Sequence, residues 1–396
     1  MYLIRYAGTR LKTDHHALAF MPAFWRAAEL GLRSCLVCSE PPVNESWLDP
    51  LREVNTKIVY LPRPKGNIDL GCAWRCFKLC RELNAQVLHC DNMHTSPLMG
   101  AYAAGVPVRV WSKHSMQPSF EAGRKRTLRD RLAISVRISC HLSTRVLCVS
   151  SAVRDELVDL GMPAERLQVF RNALNACDLR VTPGAVARTA LGLAQEDLIL
   201  TAIGRPVHVK GWDILIEAFA GAAMHNPRAK LLLVGDITSP SEAPDFVRLS
   251  KRMEELGIRD RVVTTGYLTD LSDVLGATDV FVMPSRSEGD SNALLQALQS
   301  KLPCLATRVG SAADLILDGE NGLLVPREDV PAMIAAMRRL VDDAALRERF
   351  RRAGASAKYA PGIEEHADMM VDLYASLLRE RTGIQADRKR PGPVAI

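Results

Sequence analysis

DVFVMPSRSEGDSNALLQALQSKLP, residues 279–303, passes from a short apolar run through a polar loop into a helical stretch. DVFVMPS is too short for a buried helix and suits a strand covered on both faces. In the loop, Glu288 and Gly289 follow the strand, and Ser291 or Asn292 can cap the helix that comes next. Strand, loop and helix in this order form the unit from which parallel sheets are built.

The same alternation extends in both directions. Upstream, the apolar runs are YLIRYAG, SCLVCS, KIVYLP, QVLHC, VRVWSKH, RVLCVSS and LQVFRNAL; around the opening stretch they are LILTAIG, KLLLVGD, RVVTTGY, DVFVMPS, PCLATRV and NGLLVP. A chain of 396 residues is too long for one ordinary core. The pattern predicts two α/β Rossmann-like, doubly wound domains facing across a cleft. The polar stretch NACDLRVTPG at 175–184 is the expected linker. Residues 1–178 then form the first domain and 179–362 the second, followed by a helix at 363–383 expected to return to the first domain and a mobile tail at 384–396.

Composition narrows the class. With 47% hydrophobic and 24% charged residues the chain is a folded globular protein, and no apolar run is long enough for a signal peptide or a membrane span. The ten cysteines have neither export context nor metal-clamp spacing, and they read as reduced core thiols. The net charge of +6 is uneven: residues 1–180 hold 25 Lys and Arg against 16 Asp and Glu, and the remainder 26 against 29. A basic first half favours an anionic partner. Without a recognition motif or interleaved aromatics, nucleic acid is not the expected one.

Ligands of open parallel sheets bind outside the strands' carboxyl ends. After LILTAIG come Arg205 and Lys210, two cations beside a helix N-terminus and well placed for a diphosphate. After DVFVMPS, Gly289 admits close approach to the backbone, and the first helical amides can meet negative charge. Gln296 lies eight residues beyond Glu288, ~12 Å at most along a helix, about the span from ribose to sugar in a nucleotide-sugar. Read alone, each feature is also compatible with a solvated basic turn or a plain helix cap.

In order, GRPVHVKGWDILIEAF, LLLVGD, TGYLTDLSDVLGATDVFVMPSRSEGDSNALLQAL and LPCLATRVGSAADLILDGENGLLVP resemble the donor domain of family-4 retaining glycosyltransferases of the GT-B fold. The likeness is strong over 190–350 and extends more loosely through VLCVSSAVRDELVDLGMPAERLQVFRNALN and VLHCDNMHTSPLMGAYAAGVPVRVWSKH to nearly the whole chain. It implies transfer of a hexosyl or N-acetylhexosaminyl group from a nucleotide-diphosphate sugar, most often a uridine one, in polysaccharide, lipopolysaccharide or glycolipid synthesis. It assigns Arg205 and Lys210 to the diphosphate and Glu288 to the sugar hydroxyls, with Gly289, Asp290, Ser291, Asn292, Gln296 and Tyr267 completing the donor site. His114 would face the donor sugar, with His89 and Asn92 candidates for the same wall. Gly8, Thr9, His15 and His16 are acceptor-side candidates. No metal and no cofactor is expected, because basic residues do a metal's work.

Three positions depart from the family pattern. Gln296 stands where a second glutamate is usual; its amide offers one acceptor group and one donor group where a carboxylate accepts twice. YAGTRLKTDHHAL carries only Gly8 where a glycine pair is usual, and Asn172-Ala173 replaces an Asn-Gly turn. A nucleotide-sugar epimerase of similar fold, which needs no acceptor, and a catalytically degenerate binding subunit fit the same architecture. An oxidoreductase does not, since no G-x-G-x-x-G follows the first strand. Finally, residues 124–145 hold seven Lys and Arg against one Asp, interleaved with apolar residues. This stretch suits either an ordinary packed helix or peripheral contact with the cytoplasmic face of a membrane.

Overall fold

The computed structural model describes residues 2–7, 22–28, 31–42, 44–91, 95–116, 133–175, 180–223, 225–239, 242–354 and 359–383. Every one of the apolar runs contributes a strand. In the first domain these are β1 (Tyr2–Tyr6), β2 (Arg33–Cys38), β3 (Lys57–Tyr60), β4 (Ala85–Cys90), β5 (Val108–Lys113), β6 (Arg145–Cys148) and β7 (Leu167–Val169), in the sheet order β3-β2-β1-β4-β5-β6-β7. In the second they are β8 (Leu198–Ile203), β9 (Ala229–Val234), β10 (Val262–Gly266), β11 (Val280–Met283), β12 (Cys304–Thr307) and β13 (Gly322–Val325), in the order β10-β9-β8-β11-β12-β13. All pairings between these strands are parallel.

Parallel neighbours cannot be joined by a hairpin, so helical crossovers cover both faces and the strands become apolar throughout. In each sheet the chain reverses its direction of winding once, between β1 and β4 and between β8 and β11. At those points the crossovers leave to opposite faces and open a crevice at the carboxyl ends.

The helix Trp212–Ala223 is apolar nearly all round, and its Trp212, Leu215 and Phe219 are buried. Such a helix has to be enclosed. Leu200, Leu231 and Leu233 of the sheet lie in one core with it, together with Met333, Met337 and Leu340 from the helix Val330–Asp342. In the first domain the outer layer comes from the far end of the chain. The helix Ile363–Thr382 places Met370, Val371, Tyr374, Leu377 and Leu378 in the core with Leu3, Val87, Val108, Val110 and Leu147. The first domain is therefore closed only after the second has been made. Nine cysteines are free and buried among the described residues. The boundary at 178–179, the tail from 384 and the first part of the basic stretch, 124–132, lie outside the described residues.

Tyr374 joins the returning helix to the sheet by a polar contact as well: its hydroxyl lies 2.5 Å from Nδ1 of the fully buried His89. Tyr374→Phe keeps the ring and strands that nitrogen, which should lower stability by about 1–3 kcal/mol. Calorimetric unfolding of the two proteins measures it, and an unchanged transition would show that the hydroxyl contributes nothing.

Candidate functional site

The donor half is assembled from the loops after β8 and β11, on either side of the switch point. Gly211 has φ +69°, and a Cβ there would overlap the Pro284 carbonyl. Only glycine lets the Lys210 turn lie this close to the end of β11. Arg286 holds the two loops together. Its backbone N–H donates to the Val209 carbonyl at 2.8 Å and its guanidinium to the His208 carbonyl at 2.7 Å, while two further bonds reach Asp213, both at 2.8 Å.

On this platform Lys210 Nζ donates to Glu288 Oε1 at 2.7 Å, and Ser285 Oγ donates to the same oxygen at 2.7 Å. Arg205 is 63% exposed and stands 3.5 Å from Glu242 Oε1. Each cation is held by a carboxylate without being saturated, since an ammonium has three N–H donors and a guanidinium five. Ser291 caps the helix Asn292–Gln299 by accepting from Leu294 N–H. Gln296 is buried in that helix, with no side-chain hydrogen bond among the described residues. Tyr267 is exposed just past β10, the edge strand, about 10 Å across the sheet from β8.

Gly289 lies directly beneath the other domain. A Cβ on it would overlap the carbonyl oxygen of His114 and press on Val149. Next to it, Asp290 Oδ2 accepts from Asn172 N–H at 2.8 Å, and Asn172 Nδ2 donates to the Asp290 carbonyl at 3.1 Å and to Asn292 Oδ1 at 3.0 Å. The side chains of Asp290 and Asn292 thus engage the first domain, whereas the expectation at the donor concerned the backbone amides of 289–292. Burial pushes the Asp290 carboxyl above its usual range, against the Asn172 amide that draws it down. The Asn172-Ala173 turn, a departure from Asn-Gly in the sequence, is part of this junction. Asp314 adds to it, accepting from Ser151 N–H at 2.9 Å, at a helix N-terminus, and pairing with Arg171 at 3.1 Å.

His114 follows β5, its side chain 47% exposed, with Nε2 3.7 Å from Asp91 Oδ1. His89 is not on the cleft wall. It faces the core of β4, fully buried, with Nε2 2.7 Å from Ser112 Oγ and Nδ1 on Tyr374. Beneath His114, Arg5 grips Asp91 with two bonds of 2.5 and 3.0 Å. Burial opposes ionisation of Asp91, yet Arg5 and the two histidines hold its carboxyl well below the usual range. Gly8, Thr9, His15, His16 and Asn92 lie outside the described residues. Sequence reading missed Arg5, Asp91, Arg286 and Tyr374. A lone charge inside YLIRYAG and an acid straight after VLHC were the signals for the first two.

The family model Glycosyltransferase Family 4 matches residues 25–176, and Glycosyl transferases group 1 matches 186–357. The lipopolysaccharide core biosynthesis mannosyltransferase LpsB of Rhizobium meliloti is 31% identical over 49% of this chain and 56% of its own length. The UDP-Gal:alpha-D-GlcNAc-diphosphoundecaprenol alpha-1,3-galactosyltransferase of Escherichia coli is 22% identical over 87% of this chain and 89% of its own. Among solved structures, Anabaena Alr3699/HepE in complex with UDP and glucose superimposes with a TM-score of 0.76 at 17% identity, covering 94% of this chain and 99% of that one.

The buried layer beneath His114 makes stability depend on pH. Burial, with Arg5 adding to it against the pull of Asp91, lowers His89 from 6.5 to about 3. The unfolded chain takes up a proton at this histidine below about 6.5 and the folded one does not. Its contribution is therefore complete above that pH and falls as pH drops, by up to about 1.4 kcal/mol per unit down to about 3. His366, half-buried and lowered to about 4, acts in the same direction. Melting temperatures followed from pH 7 to 4 should decline, and less steeply in His89→Asn; equal slopes would remove His89 from the account.

Proposed function

Since the chain belongs to the family-4 glycosyltransferases of the GT-B fold, we propose that it moves a hexosyl or N-acetylhexosaminyl group from a uridine-diphosphate sugar, with retention, to a sugar or lipid-linked acceptor in lipopolysaccharide, polysaccharide or glycolipid synthesis. The observation that carries this reading is the Lys210–Glu288 pair at the β8/β11 switch point, facing His114 across Gly289. A relative named for lipopolysaccharide core synthesis and another for a diphosphoundecaprenol acceptor support the acceptor class.

In this reading Arg205 and Lys210 stabilise the charge that grows on the departing diphosphate, with the amides after Glu288 assisting. Lys210 keeps two N–H donors for phosphate after bonding Glu288. Glu288 Oε2, which accepts from no described residue, and His114 orient the sugar by its hydroxyls. The bond from the anomeric carbon to the diphosphate breaks as the bond to the acceptor oxygen forms on the same face. The departing phosphate oxygen takes the acceptor's proton, so no side chain serves as nucleophile and a chelator leaves turnover unchanged. The enzyme works at the cytoplasmic face of a membrane, peripherally attached through 124–145.

Arg205→Ala and Lys210→Ala each remove a charge-assisted contact of about 1.5–3 kcal/mol. UDP affinity by calorimetric titration should fall roughly 10- to 150-fold, with turnover of a UDP-sugar falling alongside. Full UDP affinity in both variants would reject the donor site. Gln296 in this reading meets the ribose. Gln296→Glu buries a carboxylate without a partner and should lower the melting temperature of the empty protein. The ribose diol then supplies donors, so UDP should stabilise this variant more than it stabilises the parent; an equal or smaller stabilisation would reassign the position.

A further inference from the structure

The first domain carries an exposed surface that the donor site does not use. Ile68, Leu70 and Trp74 are 45%, 72% and 57% exposed, along the entry and first turns of the helix Leu70–Glu82. Large apolar side chains left together in water mark a contact surface. The helix cannot turn them inward. Cys72, Cys76, Leu79 and Cys80 are buried on its opposite face, and a Cβ on Gly100 of the neighbouring helix would overlap the Ala73 carbonyl.

Cations accompany the patch along the chain. From residue 61 to 81 the chain holds Arg63, Lys65, Arg75, Lys78 and Arg81 against the single carboxylate Asp69. That carboxylate is engaged in capping the helix, accepting from the N–H groups of Lys65 and Cys72 at 3.0 Å each. Trp74 stacks on Phe77 with centroids 5.1 Å apart, and Lys78 Nζ lies 5.6 Å from the centre of the indole.

The patch lies on the cleft side of the domain. A crossover helix runs antiparallel to its strands, so its first turn lies at their carboxyl ends. Two bonds anchor this turn to the segment leading from Asp91: Thr95 N–H to the Asn67 carbonyl at 2.9 Å, and Asp69 N–H to Ser96 Oγ at 2.7 Å. Asn67 also reaches Ser135 at 3.4 Å, which brings up Ile134, a further exposed apolar residue.

An indole and aliphatic side chains interspersed in sequence with ammonium and guanidinium groups match the boundary of an anionic bilayer, with acyl chains below and phosphates level with the cations. We propose that the surface formed by Ile68, Leu70 and Trp74 with Lys65, Arg75 and Lys78 docks the protein on an anionic membrane, with Leu70 and Trp74 entering the interface. The cleft mouth then opens at the level of lipid headgroups. The choice of a lipid-borne acceptor rests on the transferase reading; the docking does not.

Co-sedimentation of the full chain with phosphatidylcholine vesicles, and with vesicles of equal parts phosphatidylcholine and phosphatidylglycerol, tests it. The parent protein should prefer the anionic vesicles. Leu70→Ser/Trp74→Ser should lower partitioning at least about tenfold, and Lys65→Glu/Lys78→Glu should weaken the preference for anionic lipid, the cations of 124–145 supplying the remainder. All these positions are exposed, so stabilisation by UDP should persist in each variant and reports on the donor site alone; its absence from the parent would sink the transferase reading and leave the docking result standing. Parent-like binding by the apolar double variant overturns the proposal. So does a lipid-free dimer, seen by sedimentation equilibrium, that this variant dissociates, because a second copy then covers the patch.

Discussion

The approach of Gly289 to the His114 carbonyl is the contact on which the geometry of the cleft depends. Two sheets, each built from its own half of the chain, present their carboxyl ends to each other, and at this point backbone meets backbone with no room for a Cβ. Closeness of this kind lets one small ligand be gripped from both sides. It also exposes polar main-chain groups at the junction, which need partners. Asn172 answers Asp290 and Asn292, and Asp314 answers the free amide of Ser151 and the charge of Arg171. The side chains of Asp290, Asn292 and Asp314 are thereby committed to holding the domains.

The cations of the second domain face a different constraint. A diphosphate site must concentrate positive charge before its ligand arrives, and like charges on short loops repel. Here each cation has its own carboxylate, Glu288 for Lys210 and Glu242 for Arg205, while Arg286 spends its charge on Asp213 and Glu328. Arg286 is 10% exposed and bonded to both loops, so it acts as a fastener. Arg205 remains mostly in water and is the freest of the three to meet a ligand.

The first domain supports His114 from beneath with a buried polar layer. Arg5 and Asp91 form an ion pair whose side chains are each 6% exposed, His89 bridges Ser112 and Tyr374, and Tyr374 arrives on the helix Ile363–Thr382. Burying an ion pair gains little stability by itself, but breaking one is costly, so the arrangement tolerates few alternatives. It ties the wall of the cleft to a helix that follows the whole second domain, and each domain therefore constrains the other through both the junction at Gly289 and the closing helix.

Strand and helix order was legible because a parallel sheet buries its strands on both faces and writes each as an unbroken apolar run; the runs from YLIRYAG to NGLLVP all became strands. The loops after β8 and β11 were legible too, since cations, a glycine and a helix cap directly after a strand are local signals. Arg205, Lys210 and Glu288 needed no knowledge of distant partners to be singled out. What tertiary structure alone decided is which side chains meet across the fold. His89 and His114 both sit at or just past strand ends, yet one faces the core and the other the cleft, because the strand pleat and the helix laid over it determine direction. Nothing local shows that the side chains of Asp290 and Asn292 meet Asn172 across the junction, and Tyr374, 285 residues from His89, has no local sign of its role. Local chemistry is set by neighbours in sequence, whereas partnership depends on how two independently wound sheets come to face each other.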